Sequence, residues 1–163
     1  MGLFSGTFLS INKEILYTIP IILLILPALN SLIGDIATVL TSRLTTHLYI
    51  GDLPPKVEKS DRLKEDFLGL LITLLLSLVV LLFLGFAIGE IAGIKIINPF
   101  LMISIIILTV LVLFVLLFAL LFVSSIYLFK KGKDPNNFLI PFVTSLADFL
   151  TPFFLIIFII IFI

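Results

Sequence analysis

Two aspartates stand in stretches otherwise built from apolar and hydroxyl-bearing residues. Ser31, Asp35, Thr38 and Ser42 fall at i, i+4, i+7 and i+11, which is one face of a helix. Asn30, Gly34, Thr41 and Thr45 form the stripe beside it. The pattern returns near the C-terminus, where Pro141, Thr144, Asp148 and Thr151 share a face and Ser145 lies one step round. Two carboxylates on two hydroxyl-rich stripes offer an all-oxygen environment, which suits hard cations such as Mg2+ or Ca2+ rather than ions that favour His and Cys. Mg2+ dehydrates reluctantly, so few carboxylates among many hydroxyls suit a largely hydrated ion. The plainer alternative is an aspartate neutralised by protonation, or hydrogen-bonded so that it glues helices together.

The elements that must position these residues follow from composition. Hydrophobic residues make up 61% of the chain and charged residues 12%, against about 25% charged in a usual globular domain. Crossing a hydrocarbon core of roughly 30 Å takes about 20 helical residues, and several uncharged runs are that long. The expected fold is an all-α polytopic membrane protein, a five-segment helical bundle in a single domain over residues 1–163. With no Cys, neither a disulfide framework nor a thiolate metal site is available. No basic face can form outside two short loops, so nucleic acid is not an expected partner, whereas the lipid bilayer is.

Residues 1–11 are apolar but too short to span, and read as the tail of a first transmembrane helix or a half-span stub. The second segment, 15–48, is too long for one straight span, and Pro20, Pro27 and Gly34 are places for a kink or break. The third and fourth segments are 67–89 and 99–129, the fourth opening with Pro99 at the first helical position. The fifth runs over 135–163, with Asp134 as N-cap and Pro135 at N1. The loops 51–66 and 130–134, with Arg43, carry eight of the ten Lys and Arg residues. Both loops lie on one side. The positive-inside rule makes that side cytoplasmic and sends the C-terminus outside, with Lys13 and Lys95 on the outer face.

Other polar residues have simpler readings. His47 packs or lies at the interface, and Glu90 reaches the headgroups. Arg43 snorkels at the inner end, where with Ser42 it could shape a cytoplasmic vestibule. The charged run "DLPPKVEKSDRLKED" reads as a solvated linker. "PALNSLIGDIATVL" and "IPFVTSLADFLTPF" echo each other on oppositely directed helices, the pattern of inverted repeats in transporters.

"PALNSLIGDIATVLTSRLTTHLYIG" (27–51) resembles the second-helix signature of the MgtE-type magnesium transporter membrane domain, and "DPNNFLIPFVTSLADFLT" (134–151) its fifth-helix signature. The wording is nearest the animal solute-carrier magnesium transporters, which carry two such domains in one chain. This sequence looks like a single half. The resemblance implies Mg2+ transport across the plasma membrane, with no organic cofactor. It also implies a paired arrangement, a homodimer or a heterodimer with a related half, with its pore on the twofold axis. The fifth-helix aspartate holds hydrated Mg2+ in that family and corresponds to Asp148. Pro27, Gly34, Asp35 and Arg43 match the second-helix pattern. The expected metal residues are therefore Asp148 and Asp35, with Asn30, Ser31, Gly34, Thr38, Pro141, Thr144, Ser145 and Thr151 along the ion path. Asp35 stands where many members have Asn, and the first helix is short. The cytoplasmic regulatory domains of the bacterial proteins have no counterpart here, so gating through them is not expected. Two rival functions remain. An intramembrane aspartyl protease also uses two membrane aspartates, but Leu32 in "LIGD" breaks its Gly-x-Gly-Asp motif. A non-transporting membrane scaffold is the other.

Overall fold

The computed structural model describes residues 2–94 and 98–162. Among them the chain forms six helices and no strand: α1 (Gly2–Ile11), α2 (Lys13–Thr18), α3 (Pro20–Ile50), α4 (Asp61–Ile91), α5 (Pro99–Lys130) and α6 (Pro135–Phe162). The last four are long and apolar enough to cross a membrane. Lys95, expected on the outer face, lies outside the described residues.

Local chemistry explains where the helices start and stop. Proline crowds the residue before it out of the helical region, so Ile19 is extended (φ −129°, ψ 72°) and α3 opens with Pro20. Its other end is closed by Gly51, whose φ of +91° is the left-handed conformation that favours glycine; its N–H bonds back to the His47 carbonyl at 3.1 Å. Ser60 caps α4 by accepting from the Leu63 N–H at 3.0 Å. Asp134 does the same for α6, accepting from the Asn136 N–H at 3.0 Å, with Pro135 as the first helical residue.

Two boundaries differ from the sequence reading. The break in segment 15–48 falls at Ile19–Pro20 alone, and α3 then continues through Pro27 and Gly34. An interior proline costs a helix about 3 kcal/mol, but here one side of the helix is anchored by buried Ile22, Ile25, Leu26, Leu29 and Ile33. The third segment also starts six residues early, at Asp61, because Ser60 supplies the cap. Part of the expected solvated linker is therefore helix.

The long helix α3 sits at the centre and packs against α4, α5 and α6. α4 is peripheral. It buries one narrow stripe, Leu70, Leu74, Leu78 and Leu82, and exposes Leu68, Ile72, Leu76, Val79 and Phe83. A stripe repeating every four residues is one face of a helix laid on a neighbour, and the apolar remainder suits lipid. Near its far end Gly85 lets α4 approach α3, since a Cβ there would lie 2.8 Å from Ile25 Cγ1. α1 lies along α6. Ser5 meets Asp148 and Phe8 meets Phe153, so these two helices run in the same direction.

Candidate functional site

Asp35 is fifteen residues from either end of α3, and Asp148 is thirteen from the start of α6 and fourteen from its end. The two helices share the most extensive interface in the molecule. The two helices differ by only three residues in length, and each carries its aspartate near its own midpoint. Both aspartates are exposed, and neither makes an ion pair among the described residues. Ser31 Oγ lies 3.4 Å from Asp35 Oδ2 as its donor, while the Asp148 carboxylate accepts no hydrogen bond among the described residues.

The rest of the expected path divides by exposure. Ser31 and Pro141 are exposed, and Asn30, Thr38, Thr144 and Ser145 are half-buried beside the aspartates. Asn30 presents a buried Oδ1 with no hydrogen-bond partner among the described residues, an arrangement that folded proteins complete with water or another ligand. Gly34 is buried among the helices. Thr151 departs from the expectation. It is wholly buried, and its hydroxyl donates to the Ala147 carbonyl of its own helix at 2.8 Å. A threonine can return its hydrogen bond to the preceding turn, so helical spacing alone could not separate this residue from the exposed ones. Thr144 also bonds within its helix, to the Ile140 and Pro141 carbonyls at 3.1 and 3.2 Å, but stays half-exposed.

At the basic end of the bundle a second cluster forms. Ser42, Arg43, Thr46, His47 and Arg62 line an open groove of about 310 Å³, and the first two are the residues expected to shape a vestibule. Arg43 does more than snorkel. Its guanidinium grips Asp66 Oδ1 on α4, Nε at 2.7 Å and the terminal nitrogen at 2.6 Å. Asp66 is 1% exposed, and its Oδ2 lies 3.2 Å from His47 Nε2. Arg62 Nε approaches the same ring nitrogen at 3.2 Å, so His47 stands between a carboxylate and a guanidinium. Sequence reasoning had placed Asp66 in the solvated linker. The available signal was its position beside Phe67, at the edge of an apolar run, opposite two basic residues spaced i, i+4 on α3.

Among the described residues no three His, Cys, Asp or Glu side chains converge as a metal site. Asp35 and Asp148 are each exposed on their own helix and belong to no such cluster. A profile of the MgtE family of divalent cation transporters matches residues 26–158, most of the chain and all four long helices in whole or large part. The chain belongs to the MgtE family. Neither a curated protein nor a solved structure matches it. Membership in MgtE makes this an integral membrane protein of divalent cation transport and not an enzyme. That removes the protease reading, whose motif the sequence had already failed to supply.

Proposed function

We propose that the chain moves Mg2+ across the membrane along a path that passes both Asp35 and Asp148, with a second MgtE-like unit covering it. The observation behind this is the exposure of two carboxylates at mid-helix in membrane-crossing segments. A charge facing lipid at that depth costs about 2.5–3.5 kcal/mol on insertion scales. Water and a covering protein surface would remove that cost. A second copy in that position would bring two Asp148 side chains near one axis, where like charges repel and a divalent cation between them relieves the repulsion. The covering unit is a second copy of this chain or a related half, in keeping with the two-domain animal transporters that the motifs resemble.

The donor set favours Mg2+. Hydroxyls of Ser31, Thr38, Thr144 and Ser145 and the Asn30 amide can accept hydrogen bonds from the waters of a hydrated ion, while the carboxylates supply charge. The groove at Ser42 and Arg43 would be the cytoplasmic mouth, since the basic loops lie at that end and the positive-inside rule faces them inward. The C-terminus of α6 would then lie outside, and the plasma membrane is the proposed location.

Flux into proteoliposomes of the purified chain tests this. Mg2+ uptake is expected, weaker uptake of Mn2+, Co2+ or Ca2+, and loss of uptake in Asp148→Ala. Runs with and without a membrane potential separate a channel from a coupled exchanger. Normal uptake by Asp148→Ala would remove that residue from the path, and a wild-type chain that passes no divalent ion would favour a scaffold role or an obligatory partner half.

A further inference from the structure

α6 contains a second interior proline, Pro152, four residues after Asp148. A proline has no N–H, so within a helix it leaves the carbonyl four residues earlier without its donor. The residue that loses its partner is Asp148 itself. In an apolar segment an unmet carbonyl is costly, and membrane helices tolerate proline where neighbouring helices or hydroxyl side chains restore the bond. Here the replacement is Ser5 of α1. Its Oγ donates to the Asp148 carbonyl at 2.9 Å, and the side chain is 8% exposed. The other interior prolines, Pro27 and Pro141, free the carbonyls of Leu23 and Asn137, and no side chain from another helix meets either among the described residues.

The contact is also braced. Phe8, one turn after Ser5, packs on Phe153 with ring centroids 5.3 Å apart, and Phe149 stacks on the same ring at 5.6 Å. α1 therefore holds the turn of α6 that Pro152 has loosened, and that turn starts at the exposed carboxylate. We propose that Ser5 is a positioning residue for the cation site, fixing the backbone of Asp148 and hence the direction in which its carboxylate points. This rests on the reading of Asp148 as the ion-binding residue. It gives the short first helix a task distinct from spanning the membrane.

A double-mutant cycle in Mg2+ flux separates positioning from general structure. Ser5→Ala is expected to raise the half-saturating Mg2+ concentration about three- to tenfold, the size of one hydrogen bond, with maximal flux and melting temperature little changed. Ser5→Thr should restore it. In Pro152→Ala the new N–H at position 152 can meet the Asp148 carbonyl, so adding Ser5→Ala should then change half-saturation less than about twofold. Equal effects of Ser5→Ala in both backgrounds would overturn the proposal, as would an unchanged half-saturation in Ser5→Ala while Asp148→Ala abolishes flux. Normal flux in Asp148→Ala would remove the binding role itself and the positioning role with it.

Discussion

Asp66 and Asp148 are the same side chain under opposite treatments. Asp66 lies near the basic end of the bundle, almost fully buried, with Arg43 and His47 brought to it from the neighbouring helix. Asp148 lies at the middle of α6, exposed, with no cation from its own chain among the described residues. A buried carboxylate without a partner is costly, and one that is paired and hydrogen-bonded can lock two helices together. A carboxylate left open at mid-membrane stabilises nothing within its own chain. The contrast is between an aspartate paired across two helices and one that no described residue of its own chain partners. Asp35 falls with Asp148, having only a long hydroxyl contact from Ser31.

Exchanging these treatments should reveal the difference. The largest effect is expected from Asp148→Asn, which should cut Mg2+ flux about 100-fold or more, beyond the 10–100-fold typical of outer-shell changes at metal sites. Its melting temperature should hold or rise, because the change removes an exposed mid-membrane charge. Asp66→Ala should do the reverse. It strips a buried partner from Arg43 and His47 and should destabilise the protein by about 1–3 kcal/mol, read as a lower melting temperature, with flux per folded molecule largely kept. The cost falls below the roughly 3–5 kcal/mol of a fully buried pair because Arg43, 45% exposed, can turn back to water.

Asp35→Asn should have an intermediate effect on transport and little on stability. If Asp35 lines the proposed path, removing its charge weakens attraction for a divalent ion, and half-saturation should rise about three- to tenfold. A loss of flux as deep as that of Asp148→Asn would merge the two aspartates into one indispensable pair. The smallest effect is expected from Thr151→Val. Its hydroxyl is spent inside its own helix, so flux should not change and stability should fall by no more than about 1 kcal/mol, the size of one hydrogen bond.

The division between what could and could not be read from the chain follows the same physics. Four long apolar helices, their proline and aspartate caps, and the hydroxyl stripes around Asp35 and Asp148 all arise from short-range pattern, and they were legible. Asp66 was missed because the burial of a carboxylate depends on which cations another helix brings, and no local pattern carries that. The burial of Thr151 was not legible because a hydroxyl on a polar stripe can face its own backbone as easily as water. Pro152 was visible as a break in hydrogen bonding, but Ser5, almost 150 positions away in sequence, becomes its complement only once α1 is laid along α6. Pro27 teaches the converse, since packing of its buried neighbours kept α3 continuous where local propensity called for a break.

On the proposed path Asp35 and Asp148 meet water and ions, whereas the exposed apolar side of α4 meets lipid. The chain has no Cys, so a single introduced thiol reports its own surroundings. Ser31→Cys, one turn from Asp35, is to be compared with Val79→Cys on α4, both exposed in the isolated chain, using a water-soluble, membrane-impermeant thiol reagent on reconstituted protein. Labelling is expected at position 31 that Mg2+ suppresses, with no such suppression once Asp148→Asn is added and no labelling at position 79. An inert thiol at 31, or labelling there that Mg2+ leaves untouched, would contradict this path.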